Sequence, residues 1–427
     1  MAPARAKARR AAGFPTAPPE AAGLDKASLG QFRGALRREV GQLQSLAGVA
    51  HVVIHRGKCV FACAGGTADR KRGTRFTTRT LCKLHGATKP LVASAFLALV
   101  DAGKCSLSDP VSKYIKFSGA VAKSGRVQRP PTLRDLLLMT AGLGYEDAPK
   151  YRPLMRQVRE KRITDLESFC DAVAEAPLLW QPGSRYEYSF AYEVLGRLCE
   201  VVSGLPLEAF MRKWLLDPLG MKDTHFVVPA RKRGRCADLY EAKQLKRKRQ
   251  DGAEYVLSPY RHKDRAPGIQ SAGGGILSYH DAGMWGTAQD YARFCNMLIS
   301  GGLAPDGRRV LKASTIRALW SDALGKLGGR DGRLSGWHDS DGPEKGGWWD
   351  YRGLSLIHAF LDLDEKPRRG LTRRSRSMWF SGGGGAFWTA DVRRGLVTVS
   401  MSQTFGGRED EGDNHGPLAY RIGPYIE

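Results

Sequence analysis

The stretch Thr80-Leu-Cys-Lys-Leu-His-Gly-Ala-Thr-Lys-Pro90 gathers most of the groups in this chain that are dense enough to do chemistry together. Side chains three residues apart share one face of a helix, so a hydroxyl three positions ahead of Lys89 would be placed to give its proton to the amine. That position is Gly86, which has no side chain. Thr88 lies over half a helical turn away and faces elsewhere, Cys82 precedes Gly86 by more than a turn, and His85 is adjacent rather than equivalent. The lysine therefore has no partner hydroxyl at the required spacing. Metal chemistry is not indicated either. The eight cysteines form no Cys-x-x-Cys pair, and His51 and His55, four apart, fall in a strand and turn pattern rather than on a helix. The reading calls for no cofactor and no metal.

The elements that must position these groups are legible from periodicity. Gly48–Gly66 reads as two strands, the β-branched run Val52-Val53-Ile54 and Val60–Ala64, joined at Arg56-Gly57-Lys58. A helix apolar nearly all round starts near Thr88, with Pro90 in its first turn and Gly103 just past its end; such a helix belongs in the centre of a domain. Further helices are expected at Leu133–Met139, Asp165–Ala176, Ala191–Ser203, Leu207–Leu216 and Ala288–Ile299, and final strands at Ala386–Ala390 and Gly395–Gln403. Strands, then helices, then strands imply an α/β (α+β) fold, one mixed sheet with helices packed on it and a helical subdomain inserted. Residues 1–22 read as a disordered or targeting tail, 23–405 as the folded domain, 231–270 within it as a basic irregular insertion, and 406–427 as a C-terminal segment.

The segment around Lys89 resembles the nucleophile motif, Ser-x-x-Lys, of the serine β-lactamase and penicillin-binding-protein family, in the branch of class C β-lactamases and family VIII esterases. More motifs follow in order. Leu107–Tyr114 and Thr132-Leu-Arg-Asp-Leu-Leu-Leu-Met-Thr-Ala-Gly142 are similar to family segments, as are Leu216–Thr224, Ala272–Ser278 and Thr287–Phe294. Tyr188-Ser-Phe190 matches the family's Tyr-x-Asn, and Phe380-Ser381-Gly382-Gly383 falls on its third motif, Lys/His-Thr-Gly or Trp-Gly-Gly. The resemblance implies that the sheet is antiparallel and flanked by helices, that Lys89 and Tyr188 hold the proton-handling positions and that Gly382 or Gly383 supplies a backbone oxyanion donor. It also implies that Phe190 puts an apolar ring in the cleft in place of an amide. With Gly86 at the serine position, it implies a catalytically degenerate hydrolase that acts by binding or as a structural protein. The alternative is weak esterase, peptidase or β-lactamase activity, with Lys89 or Tyr188 activating water.

The net charge of +24 is unevenly spread, with Lys and Arg clustered at Arg5–Arg10, Arg231–Arg235, Lys246–Arg249 and Lys366–Arg376. These admit a polyanion or an acidic protein as partner. Without interleaved aromatics, solvated loops are the preferred reading. An acyl, ester or peptide-like ligand in the cleft and self-association are the other partners the resemblance admits. No apolar run reaches transmembrane length. Cysteines inside apolar runs fit a reducing, intracellular compartment, cytoplasmic or, given the Arg-rich and acid-poor N-terminus, mitochondrial or otherwise organellar.

Overall fold

The computed structural model describes residues 14–117, 125–146, 148–244, 255–260, 269–274, 283–328, 353–362 and 376–406. The chain enters through helix α1 (Lys26–Arg37), started by Asp25, whose carboxylate accepts from the Ser28 amide at 2.7 Å. Strands β1 (Gly48–His55), β2 (Lys58–Asp69), β3 (Thr74–Arg75) and β4 (Cys82–Lys83) follow. Then come the helices α2 (Thr88–Asp101), α3 (Leu133–Leu137), α4 (Arg152–Arg159), α5 (Leu166–Glu175), α6 (Ala191–Ser203) and α7 (Leu207–Met211). Strands β5 (Tyr240–Gln244), β6 (Tyr255–Pro259) and β7 (Trp285–Gly286) lead to α8 (Ala288–Ile299) and α9 (Ala313–Leu319), and β8 (Phe360–Asp362), β9 (Ser377–Gly382), β10 (Ala386–Asp391), β11 (Leu396–Ser402) and β12 (Thr404–Gly406) close the described chain.

The main sheet has seven strands in the order β3-β2-β1-β11-β10-β9-β8, every pair antiparallel. Alternation along β1 divides its side chains between two cores. Val49 and Val53 pack with Leu29, Phe32 and Leu36 of α1, whereas Ala50, Val52 and Ile54 join the large core on the other face. His51 lies on the α1 side, fully buried and edge-on to Phe32 with ring centroids 4.8 Å apart. On the large-core side, Tyr291 and Phe294 of α8 pack on Trp388 of β10. Helix α2 is buried at every residue from Thr88 to Leu99, as its unbroken apolar pattern requires. The antiparallel sheet with inserted helices is the architecture expected.

Two expected boundaries are corrected. Residues 14–22 are not a loose tail: Phe14 is buried in the large core beneath the Arg293 guanidinium, and Thr16 bridges Cys59. Nor is 231–270 irregular throughout. Tyr240–Gln244 pairs antiparallel with Tyr255–Pro259 and parallel with Thr404–Gly406, so alternating Tyr240, Ala242 and Tyr255 have a buried side to fill. The basic runs at Arg5–Arg10 and Lys246–Arg249, that at Lys366–Arg376 except Arg376, and the C-terminal segment beyond Gly406 lie outside the described residues.

Candidate active site

Gly86 sits in a single 3-10 turn, His85–Ala87, that feeds directly into α2. Its backbone is not in the left-handed region, so nothing local demands glycine. A Cβ built there would lie 3.7 Å from Lys89 Nζ, 3.6 Å from the Phe380 ring and 3.3 Å from the Ser381 carbonyl oxygen. The turn is locked from two sides. Leu84 N donates to the Met284 carbonyl at 2.8 Å and Met284 N to Thr88 Oγ1 at 2.9 Å, beside the short pairing of β4 with β7. On the other flank Gly382, at the end of β9, comes so close that a Cβ would stand 2.0 Å from the Leu84 carbonyl oxygen.

Lys89 is 1% exposed, and its ammonium donates to the Tyr188 hydroxyl and to the Gly273 carbonyl. Its charge also lies over the Tyr188 ring, 4.5 Å from the centroid. A buried ammonium requires a counter-charge. Glu193 on α6 supplies it, its Oε1 accepting from Ser271 Oγ at 2.8 Å and from Gly273 N at 3.1 Å, while Oε2 has no hydrogen-bond partner among the described residues. Burial pulls the Lys89 pKa down to about 8, against the pull of Glu193, and pushes that of Glu193 up. Gly273 gives the Glu193 carboxylate its place, because a Cβ would meet its two oxygens at 2.5 and 2.6 Å and displace them.

The opposite wall is aromatic. Phe380 packs on His358 and Phe360 at 5.3 and 5.5 Å. His358 is stacked on Tyr186 at 6.0 Å and edge-on to Tyr188 and Tyr192 at 6.0 and 5.5 Å. It is 1% exposed, its backbone is left-handed at φ +55°, and its Nδ1 has no hydrogen-bond partner among the described residues. Burial, reinforced by the Lys89 charge, drives its pKa well below the usual histidine value, so the ring is neutral. A left-handed backbone at a non-glycine residue and an unsatisfied buried nitrogen are both strained features of the kind found at functional sites.

Of the expected site residues, Gly86, Lys89, Tyr188, Phe380, Ser381 and Gly382 come together, and Gly383 begins the turn from β9 to β10. Phe190 does not join them, and the expectation that its ring enters the cleft is corrected. It is 0% exposed and packs into the helical subdomain against Tyr145, Tyr151 and Phe169 at 4.8, 6.1 and 5.1 Å. The backbone turns into α6 at this residue (φ −72°, ψ 16°), and its ring follows the helical core. Glu193 and His358 are the functional candidates missed. Only the composition around them, a carboxylate inside the apolar face of α6 and a lone histidine in Leu354–Phe360, could have flagged them.

Elsewhere, the run Arg231–Arg235 is partly neutralised. Lys232 and Arg235 pair with Asp223 at 2.9 and 2.7 Å, leaving Arg231 and Arg233 as its exposed basic members. Among the described residues no cluster of His, Cys, Asp or Glu could hold a metal ion, and no helix is long and apolar enough to cross a membrane.

The family model for Beta-lactamase matches residues 36–420, and the chain belongs to that family. Protein Rv1367c of Mycobacterium tuberculosis is 29% identical over 379 residues, covering 86% of this chain and 88% of that protein. Esterase EstB of Burkholderia gladioli is 28% identical over 402 residues, covering 90% and 93%. Among solved structures, EstCE1, a hydrolase with promiscuous acyltransferase activity, superposes with a TM-score of 0.69 at 24% identity, covering 93% of this chain and 99% of its own.

Proposed function

We propose that this chain is a catalytically degenerate serine hydrolase whose cleft binds an acyl, ester or peptide-like ligand without forming an acyl-enzyme. The observation that carries the reading is the empty side-chain position at Gly86, 3.7 Å from the Lys89 amine. A hydroxyl there would be activated by Lys89 and Tyr188; a hydrogen cannot attack a carbonyl. The surroundings support a cleft kept in form, since Phe380 stands 3.6 Å from the missing Cβ and does not occupy its place. The test is exposure of the full chain to a fluorophosphonate and to a penicillin, read by intact mass. No adduct is expected, and a stoichiometric adduct on any hydroxyl of the cleft overturns the reading.

A second reading, weak hydrolysis by water activated directly, is favoured by one observation. The Lys89 amine, its pKa pulled down to about 8 by burial, is hydrogen-bonded to the Tyr188 hydroxyl, a pair that could relay a proton. It requires turnover of p-nitrophenyl acetate above buffer that falls in Tyr188→Phe. Equal rates with and without the tyrosine exclude it.

A further inference from the structure

The basic run at Arg231–Arg235 keeps two exposed cations, Arg231 and Arg233, once Asp223 has paired with Lys232 and Arg235. The fold sets a second run, distant in sequence, against it. Arg70, Lys71, Arg72, Arg75 and Arg79 stand exposed along the turn from β2 to β3 and the segment after it. We infer that the two runs form one surface that binds the phosphate backbone of double-stranded nucleic acid. The inference does not depend on whether the cleft acylates.

Backbone hydrogen bonds hold the two runs together. Asp238 N donates to the Ala68 carbonyl at 2.8 Å, Leu81 N to the Arg235 carbonyl at 2.9 Å, and Ala237 N to the Leu81 carbonyl at 2.9 Å. The Arg235 guanidinium also donates to the Arg79 carbonyl, at 3.1 Å through Nε, and Arg70 N donates to the Tyr240 hydroxyl at 2.7 Å. The cations are therefore carried in fixed relation on a strand turn and a 3-10 turn, Ala230–Arg235, rather than on separate loops.

The charge of this surface is not balanced locally. Across residues 68–81 and 222–238 the acidic side chains are Asp69, Asp223 and Asp238. Asp69 is paired with Arg72, as Asp223 is with Lys232 and Arg235. Arg70, Lys71, Arg75, Arg79, Arg231 and Arg233 are left to face solvent, and all but Lys71 are arginines, whose planar guanidinium meets a phosphate through two parallel hydrogen bonds.

The rest of the surface selects among anionic partners. An interface with an acidic protein is built around an apolar centre, and an anionic membrane takes up apolar side chains as well as charge. In these two segments Val227 is the single large apolar side chain that is exposed, and Phe76 and Phe226 are buried. A single strand needs aromatic faces for its bases to stack on, and none is exposed here. A duplex keeps its bases inside and presents one phosphate charge per roughly 1.7 Å of axis, which a rigid array of arginines can meet without either.

The experiment is fluorescence anisotropy of a labelled DNA duplex of about 24 base pairs titrated with the full chain between about 50 and 200 mM NaCl. The parent is expected to bind, with an affinity that falls steeply with salt. Arg70→Gln/Lys71→Gln/Arg231→Gln/Arg233→Gln should lower the affinity at the lowest salt at least about tenfold and the log–log salt slope by about 3 to 4, since each cation neutralises one phosphate. Lys150→Gln/Arg152→Gln/Arg156→Gln/Lys161→Gln removes the same charge from exposed residues on and beside α4, and should change the affinity by less than about threefold. Near-UV circular dichroism confirms that each variant is folded. Should the first variant fail to fold, Arg70→Gln and Arg233→Gln singly replace it, each with an expected slope change of about 1. Absence of binding by the parent, or equal losses in the two quadruple variants, overturns the proposal. Binding to phosphatidylserine vesicles but not to the duplex, lost in the first variant, assigns the surface to a membrane and overturns it as well.

Discussion

The two walls of the cleft differ in how they are built. On the helical side, Lys89, Tyr188, Glu193, Ser271 and Gly273 form a continuous polar network in which nearly every donor and acceptor is engaged at close range. On the strand side, Phe380, Phe360 and His358 meet through rings at 5.3–5.5 Å, and the one polar group among them, His358 Nδ1, is left over. A network of buried charges is intolerant because each member neutralises another. An aromatic wall held by dispersion tolerates exchange of one ring for another of similar volume. The difference teaches that the polar wall around Lys89 is structurally entrenched, whereas the aromatic wall is the adaptable one.

The sharpest way to break this contrast is at Lys89. Lys89→Met leaves Glu193 buried and uncompensated, and should destabilise the chain by about 3–5 kcal/mol in chemical denaturation. A loss below about 1 kcal/mol would mean that the polar wall is no more entrenched than the aromatic one. Next is Phe190→Asn, which restores the residue of the motif. Because the ring is packed among Tyr145, Tyr151 and Phe169, the substitution opens a cavity and buries an amide, and should cost about 3–4 kcal/mol without creating activity. Near-neutral stability would return Phe190 to the cleft.

The smallest effect is expected on the strand side. His358→Phe keeps the ring contacts and should change stability at neutral pH by less than about 1.5 kcal/mol. Its signature is in the pH dependence. A histidine whose folded pKa lies well below its unfolded value near 6.5 contributes stability that is present above that value and lost as pH falls below it. The variant should therefore lose less stability than the parent between neutral and mildly acidic pH in parallel urea titrations. Identical slopes would show that His358 is not excluded from water.

Much of this was open to reading because some residues announce their environment locally. The unbroken apolar run after Thr88 forces a central helix, and Lys89 and Tyr188, singled out by their motifs, are in hydrogen-bond contact. The pairing of β9 with β10, Phe380 opposite Trp388, depends on a partner strand and could not be read from β9 alone. Phe190 was misread because a position within a motif says nothing of where the backbone aims the ring. His358 was invisible because its role comes from Tyr186, Tyr188, Tyr192 and Phe380, all distant in sequence. Helix α1 does carry apolar residues at Leu29, Phe32 and Leu36, but charged neighbours mask so short a period.

The glycines around the site differ in their freedom to change. At Gly273, Gly274, Gly283 and Gly382 an added methyl group would stand 2.0–2.5 Å from a neighbouring oxygen. At Gly274 and Gly283 the left-handed backbone is a second barrier. Gly86 lacks the left-handed backbone and is less crowded, a Cβ there standing 3.3 Å from the Ser381 carbonyl oxygen, which would have to give only slightly. In a library randomised at these five codons, survivors should be nearly invariant at four and varied at the fifth. Position 86 is thus the one among the five where a side chain can be introduced at least cost.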